Sequence, residues 1–262
     1  MRIQTLFAVY LMLSWPCSVL AEQAASESPP HPAHWGYEGD TGPEYWGDMA
    51  PEFAKCKSGW FQSPIDVSQI YPSGLPPIQF NYDPVPLSME NNGHTIKVNY
   101  SGKSHIVIGD AQYRLTQFHF HSPSENTAHG TPFDMVAHLV HANEAGDLAV
   151  VAVMFSEGEN NQALKTMWRN LPEKSGALLE KGDKINAEDL LPAEHEYYHF
   201  MGSLTTPPCT EGVRWYVLEA PVSIGKDQLA SFRSLYHGNV RPVQKLNGRS
   251  VRSSRPVATS GE

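Results

Sequence analysis

Short apolar or alternating runs, separated by turn residues, dominate the chain from residue 34 onward. Runs that are alternating or continuously apolar, and rich in Val, Ile and aromatic side chains, are typical of β-strands. This pattern predicts strands over residues 94–100, 104–109, 113–121, 135–142, 148–155 and 213–224. Most of the connections are too short to hold a crossover helix, so neighbouring strands should pair mainly in antiparallel fashion.

Two segments, residues 161–171 and 226–236, have apolar residues at the spacing of a helix instead. The stripes consist of Leu164, Met167, Trp168 and Leu171 in the first segment, and of Leu229, Phe232 and Leu235 in the second. We therefore expect a mainly β (α+β) fold, with a large central, mostly antiparallel, twisted sheet and a few short peripheral helices.

The first residues of the chain have the composition of a secretory signal. A basic Arg2 is followed by an apolar run over residues 6–13 and by small residues that end at Ala21. The apolar run is too short to span a membrane, so we expect residues 1–21 to be cleaved during export. A lipid-bearing Cys17 is the alternative, but Ser-Trp-Pro before it is a poor lipidation context.

The rest of the chain fits one domain, because mainly β folds of this size often stay single. Residues 22–33 are polar, small and rich in proline, which predicts a disordered leader. We expect a single domain over residues 34–252 and a flexible tail over residues 253–262.

The charge balance limits the class of partner. The chain has a formal net charge of −9, and signal cleavage would remove one basic residue, Arg2, and no acidic one. An acidic surface argues against nucleic acid and against anionic membranes. We therefore expect no nucleic-acid partner and no membrane insertion after signal cleavage.

Cleavage would leave two cysteines, Cys56 and Cys209. In an exported protein an isolated pair indicates a disulfide rather than a metal site. Two free buried thiols are the alternative.

Five of the twelve histidines lie within residues 117–142. Side chains at i and i+2 of a strand share a face, so His119 and His121 point one way while Phe118 and Phe120 pack on the other. Two imidazoles one pleat apart can converge on one ion. Polar residues on a solvated strand face are the simpler interpretation, but the apolar neighbours indicate a buried site.

A third ligand is expected from the strand over residues 135–142. His138 and His141 are three residues apart and face opposite sides of a regular strand, so parity alone leaves either one open. Three imidazoles without a carboxylate or thiolate suit Zn²⁺ with its fourth position open, which is the arrangement of a catalytic site.

Seven segments then identify a family by their order. They are HWGYEGDTGPEYWGDM (34–49), FQSPIDV (61–67), NNGHTIKVNY (91–100), QFHFHSPSEN (117–126), AHLVH (137–141), GSLTTPPCTEGVRWYVL (202–218) and NVRPVQKLNGR (239–249). Together they resemble the α-class carbonic anhydrases, in their exported bacterial form. The resemblance implies a zinc lyase that reversibly hydrates CO₂ to bicarbonate and a proton, by attack of a zinc-bound hydroxide.

The resemblance also assigns the ligands. It makes His119, His121 and His138 the zinc ligands and leaves His141 as a core residue. Gln117 matches the glutamine that accepts an N–H from a ligand imidazole.

Further positions match the family's catalytic groups. Thr205 matches the threonine that accepts a hydrogen bond from the zinc-bound hydroxide and passes its own proton to a buried carboxylate, here Glu125. His94 matches the histidine that shuttles the proton to buffer. The substrate-binding wall is implied to consist of Val140, Val150, Leu204, Thr205, Thr206, Val213 and Trp215.

The resemblance implies three backbone features near this site. Cys56–Cys209 fits the disulfide of exported members, and the bridge would hold the loop that carries Thr205. Cis peptide bonds are implied at Ser63-Pro64 and Pro207-Pro208.

The chain departs from the family pattern at two positions. Val136 stands where the family usually has a glutamate that bonds a ligand histidine, which predicts weaker zinc binding. Lys97 replaces a small polar residue at the cavity rim and is expected to alter anion or inhibitor preference.

Two other functions compete with catalysis. A non-catalytic carbonic-anhydrase-like zinc-binding domain would have lost a ligand histidine, and none is missing. A two-metal hydrolase or a zinc buffer is the other class, but residues 122–126 offer no second metal site. We expect CO₂ and bicarbonate as partners, a monomer or homodimer, and a periplasmic location.

Overall fold

One large sheet of thirteen strands is the framework of the protein in a computed structural model, which describes residues 34–257. The strands are β1 (Asp66–Val67), β2 (Ile70–Pro72), β3 (Ile78–Asn81), β4 (Val85–Asn91), β5 (Ile96–Asn99), β6 (His105–Ile108), β7 (Ala111–His121), β8 (Thr127–Ala128), β9 (Thr131–Pro132), β10 (Met135–Ala142), β11 (Leu148–Gly158), β12 (Leu178–Ile185), β13 (Tyr197–Ser203), β14 (Glu211–Leu218), β15 (Val222–Gly225) and β16 (Val251–Ser253). The order is β12-β4-β5-β7-β10-β11-β14-β13-β16-β2, with β15 beside β11, β6 beside β7, and β3 beside β6. The short β1, β8 and β9 form a separate sheet.

Most neighbouring strands of the large sheet pair antiparallel, as the short connections predict. Parallel pairs occur between β11 and β14, between β11 and β15, and between β16 and β2. The connection from β11 to β14, over residues 159–210, is long enough for the crossover that a parallel pair needs. The predicted fold class, mainly β with a large and mostly antiparallel sheet, is confirmed.

The predicted strand over residues 213–224 was wrong in its extent. Two strands occupy it, because β14 ends at Leu218 and β15 begins at Val222. Pro221 lies between them and has no N–H for a strand ladder. Sequence analysis also missed several strands, among them β4 and β13 inside the sheet. It missed β12 as well, an edge strand whose side chains are mostly exposed and therefore show no apolar alternation.

Both predicted helices are present but shorter. The α-helices are α1 (Trp46–Met49), α2 (Lys55–Ser58), α3 (Gln162–Trp168) and α4 (Lys226–Arg233), and short 3₁₀ helices lie at Gly39–Thr41, Pro51–Phe53 and Ala187–Leu190. The predicted stripes bury Leu164 and Met167 of α3, and Leu229 and Phe232 of α4, in the larger of two apolar clusters.

The two clusters lie on opposite faces of the sheet. Phe118 and Phe120 of β7 belong to the larger cluster, under the helices. Val136, Val150 and Trp215 belong to a smaller cluster on the other face. The face with the smaller cluster also carries the histidines described below.

The ends of the domain differ partly from expectation. The signal over residues 1–21 and the leader over residues 22–33 lie outside the described residues, which begin at the compact unit starting with His34. We expected a flexible tail from residue 253, but Ser253 pairs with Tyr198, and the Nη2 of Arg255 lies 2.7 Å from the Oε2 of Glu219. Between residues 34 and 257 no helix has the length and hydropathy to cross a membrane.

Candidate metal centre

The pairing of β7 with β10 gathers histidines from two strands. His138 lies directly opposite His119, and directly paired residues point to the same face of a sheet. His121 shares that face because it follows His119 by two residues. His141 lies on the opposite face, where its Nε2 is 2.8 Å from the hydroxyl of Tyr82.

A β-bulge in β7 lets the histidines face one side of the sheet while the start of the same strand packs its apolar side chains on the other side. Val140 pairs with Gln117, whereas His141 pairs with Leu115, so Thr116 is an extra residue in β7. The extra residue reverses which side chains of β7 point to which face of the sheet. Leu115 is an even number of residues from His119 and His121, yet it packs in the larger apolar cluster on the opposite face.

The three rings converge. His119, His121 and His138 each offer one ring nitrogen, and these atoms all lie within 4.8 Å of one another. The ring centroids are 5.1 Å apart for His119 and His121, 5.4 Å for His119 and His138, and 4.8 Å for His121 and His138. His121 and His138 are almost fully buried.

Hydrogen bonds on the far side of two rings fix which nitrogen faces the centre. The Nδ1–H of His119 donates to the Oε1 of Gln117 at 2.9 Å. The Nδ1–H of His121 donates to the carbonyl oxygen of Asn239 at 2.6 Å. In a neutral ring this leaves the lone pair on Nε2 of both histidines.

The ring of His138, the third of the cluster, has different neighbours from the other two. The Nδ1 of His138 and the Nε2 of His121 lie 3.8 Å and 3.5 Å from the same oxygen, Oε2 of Glu125, so they face a common point. The Nε2 of His138 is buried and has no hydrogen-bond partner within residues 34–257. Val136, which shares the face of His138, is fully buried and cannot accept its proton.

Burial favours the neutral form of two of the three rings, which is the form that binds a cation. Burial, with the neighbouring rings, lowers the pKa of His119 and of His138 well below the ordinary histidine value. The Nε2 of His121 is a buried polar atom without a partner in the described part of the chain. Three imidazoles whose ring nitrogens converge therefore fit a metal ion.

A buried carboxylate stands beside this centre. Glu125 is only 2% exposed, and its Oε1 accepts a hydrogen bond from the backbone N–H of Arg241 at 3.0 Å. Burial raises the pKa of Glu125, while His121, the Arg241 amide and the Thr205 side chain act in the opposite direction. The Oε2 atom points to the centre and has no hydrogen-bond partner among the described residues.

The loop that follows β13 presents Thr205 to Glu125. The N–H of Leu204 donates to the carbonyl of Thr210 at 2.9 Å, and the N–H of Cys209 donates to that of Thr206 at 2.8 Å. Both bonds close the loop on itself. Thr205 is buried inside it at 5% exposure, and Thr206 is half-buried.

The predicted disulfide anchors this loop from outside. Cys56 and Cys209 are bonded, with their Cα atoms 5.0 Å apart. The expected cis bonds at Ser63-Pro64 and Pro207-Pro208 are present, and Ser122-Pro123 is also cis.

An apolar row lies next to the histidines. Val140 is paired with Val150, and Val150 with Trp215, on the face that carries the centre. The Trp215 ring meets the His138 ring edge-on at 4.9 Å and donates its Nε1–H to the carbonyl of Ser203 at 3.0 Å. Of the other predicted wall residues, Val213 is buried and Leu204 is half-buried.

His94 lies outside the cluster, just before β5. Gly93 has φ +86°, a conformation that suits glycine, and turns the chain into His94. The His94 ring is half-buried and stacks on Trp35, with centroids 3.7 Å apart and planes 8° from parallel. Burial, and then the charge of His34, lower the pKa of His94.

Sequence analysis missed the group that holds Glu125 in place. The buried Arg241 donates from Nη1 to the Oε1 of Gln62 at 2.8 Å and from Nη2 to the carbonyl of Cys56 at 2.7 Å. Burial lowers the pKa of Arg241 to about 10. The only available signal was its place in the conspicuous segment over residues 239–249.

Comparisons with known proteins show the family of this chain. The family described as eukaryotic-type carbonic anhydrase matches residues 41–255. A carbonic anhydrase of Pectobacterium carotovorum is 41% identical, over 92% of this chain and 98% of that protein, and one of Neisseria gonorrhoeae is 44% identical, over 83% and 87%.

A solved structure extends the agreement to the fold. The α-carbonic anhydrase of Thermovibrio ammonificans, in complex with the inhibitor sulfanilamide, superposes with a TM-score of 0.82 at 44% identity, covering 84% of this chain and 99% of that one. The chain therefore belongs to the eukaryotic-type (α) carbonic anhydrase family, whose enzymes are lyases that hydrate CO₂.

Proposed function

We propose that His119, His121 and His138 hold Zn²⁺ and that the chain uses this centre to interconvert CO₂ with bicarbonate and a proton. The observation that carries the proposal is the convergence of three histidine ring nitrogens within 4.8 Å, beside a buried carboxylate. All three ligand positions are histidines, which favours catalysis over a non-catalytic zinc-binding domain.

The histidines supply three nitrogen ligands and leave the fourth tetrahedral position of a zinc ion for a further ligand. A zinc ion bound by three histidines acts as a Lewis acid that lowers the pKa of water toward neutrality, as is general for this class of catalytic site. Gln117 and the carbonyl of Asn239 orient the rings of His119 and His121 and increase their basicity.

Thr205 and Glu125 orient the attacking water oxygen. The carboxylate accepts the proton of the Thr205 hydroxyl, so the threonine oxygen is left to accept a hydrogen bond from that oxygen. A fixed acceptor directs a lone pair toward the carbon of CO₂ and costs no reorganisation during the reaction. Arg241 fixes the carboxylate through its backbone N–H.

The apolar wall binds a substrate that carries no charge. Val140, Val150, Leu204, Val213 and Trp215 provide it, with Thr206 on the substrate side. CO₂ needs only an apolar surface next to the attacking oxygen. Charged side chains at this surface would bind water in preference to CO₂.

His94 carries the released proton to buffer. Its ring is half-buried at the domain surface and outside the histidine cluster, so it is free to exchange protons with solvent. An imidazole both accepts and releases a proton near neutral pH.

The location proposed is the periplasm. The disulfide, the signal-like residues 1–21 and the bacterial relatives support export. A monomer or homodimer would serve this function equally.

The decisive test measures metal content and CO₂ hydration together. The purified mature protein should contain one zinc ion per chain, and stopped-flow hydration with a pH indicator should be abolished by a chelator and restored by zinc. Hydration that is absent, or that persists without metal, would refute the proposal.

A further inference from the structure

Lys97 is a cation beside the metal centre that the proposed reaction does not use. It lies directly opposite His119 across β5 and β7, and Glu90 lies directly opposite Lys97 across β4 and β5. Because paired residues share a face, Glu90, Lys97, His119 and His138 form one row across four strands. This row lies on the face that carries the three histidines.

An ion pair fixes the position of the Lys97 ammonium group. Its Nζ lies 2.8 Å from the Oε2 of Glu90, and the two side chains are 30% and 31% exposed. A partly buried pair is screened less by salt than a fully exposed one. Glu90 belongs to β4, one strand further from His119 than β5, so Lys97 is the residue of the pair that adjoins the centre.

The substrate and the product of the proposed reaction differ in charge, so a cation such as Lys97 interacts differently with each. CO₂ is neutral, whereas bicarbonate is an anion, and a fixed positive charge raises the local concentration of anions only. We infer that Lys97 forms an anion-binding site beside the metal centre, which binds bicarbonate and other small monovalent anions, and that Glu90 holds the ammonium group in place and partly offsets its charge. This inference rests on the proposed function, because the anion is its product.

Thiocyanate binding to the cobalt-substituted protein tests the inference without an activity measurement. The visible spectrum of bound Co²⁺ reports anion binding, and we expect Lys97→Gln to raise the Kd of thiocyanate roughly three- to tenfold at low ionic strength. Glu90→Gln should lower the Kd, because it removes the opposing charge. The difference between Lys97→Gln and wild type should shrink in about 1 M inert salt, where the Debye length is about 3 Å.

Two matched variants separate charge from structure. Lys97→Arg keeps the charge and should keep the Kd near that of wild type. Lys103→Gln removes one charge from an exposed lysine outside this row and should leave the Kd unchanged. The kcat/KM for CO₂ hydration should also stay at the wild-type value in Lys103→Gln, since this lysine lies outside the row.

The inference is overturned if Lys97→Gln binds thiocyanate as tightly as wild type and Lys103→Gln do. Failure of the proposed function has another signature, because the wild-type protein would then take up no cobalt and show no chelator-sensitive hydration of CO₂.

Discussion

Gln117 supports His119 from two residues earlier on the same strand, with its Oε1 2.9 Å from the ligand's Nδ1. Val136 stands in the same i−2 relation to His138 but offers no acceptor, and the Nε2 of His138 has no hydrogen-bond partner in the described part of the chain. The centre is therefore supported unevenly, since two rings are oriented by hydrogen bonds and the third is held by packing alone.

Restoring the missing acceptor should strengthen metal binding. We expect Val136→Gln to slow zinc loss to a chelator by about tenfold. A hydrogen-bond acceptor for the outer nitrogen of a ligand histidine typically changes metal affinity by roughly 10–100-fold. Val136→Leu, which adds volume but no acceptor, is the control and should not slow zinc loss. Equal rates of zinc release in wild type, Val136→Gln and Val136→Leu would contradict the prediction.

Removing the hydroxyl beside Glu125 should impair the chemistry without loss of the metal. Thr205→Ala is expected to reduce kcat/KM for CO₂ by about 10²–10³-fold, the effect of losing one preorganised polar group. Thr205→Ser keeps the hydroxyl and should retain most activity. Zinc content by mass spectrometry should be unchanged in both, and full activity of Thr205→Ala would exclude the orienting role.

Removing His94 should make turnover depend on buffer. Proton release follows CO₂ hydration, so His94→Ala should lower kcat by about 10-fold or more in weak buffer while kcat/KM stays the same. Imidazole added at high concentration should restore kcat. His105→Ala, on β6, is the control and should behave as wild type. A kcat for His94→Ala that is already normal in weak buffer would rule out the shuttle.

The buried His141 should make the protein less stable in acid. Burial lowers its pKa from the ordinary value to about 3, so the folded state stays unprotonated while the unfolded state takes up a proton below pH 6.5. The free energy of unfolding should therefore fall as the pH drops through this range, by about 1.4 kcal/mol per pH unit from this group. The dependence ends near pH 3 and is absent above pH 6.5.

Substitution of His141 isolates this contribution. His141→Gln keeps a partner for Tyr82 but cannot titrate, so its unfolding free energy should fall less steeply between pH 6 and pH 4. Urea unfolding at several pH values measures both slopes. Parallel slopes for wild type and His141→Gln would show that His141 does not contribute.

Loss of the disulfide should destabilise the fold and loosen the Thr205 loop. The double variant Cys56→Ser/Cys209→Ser should lose about 2–4 kcal/mol of unfolding free energy, since the bridge closes a long loop in the unfolded chain. Its activity should fall as well, because the bridge anchors the loop that carries Thr205. Thiol labelling of native, unreduced protein should find neither cysteine, and reaction of both would refute the bridge.

Local patterns in the chain were enough for β5, β7, β10 and β11, for the two longer helices and for two of the three histidines of the metal centre. The i, i+2 spacing of His119 and His121 places them on one strand face by backbone geometry alone, and the apolar stripes of α3 and α4 fix which side each helix buries. The family resemblance, carried by ordered segments, supplied the remaining roles. Edge strands such as β12 were missed because their side chains are largely exposed and leave no periodic signal.

The tertiary structure decided what depends on contacts between distant segments. His138 rather than His141 joins the centre through the register of β10 against β7, and a register is a property of two strands that neither one encodes alone. The same holds for Arg241, which reaches Gln62, Cys56 and Glu125 from far along the chain. Sequence spacing fixes the direction of a side chain within its own strand, whereas long-range pairing fixes which side chains meet.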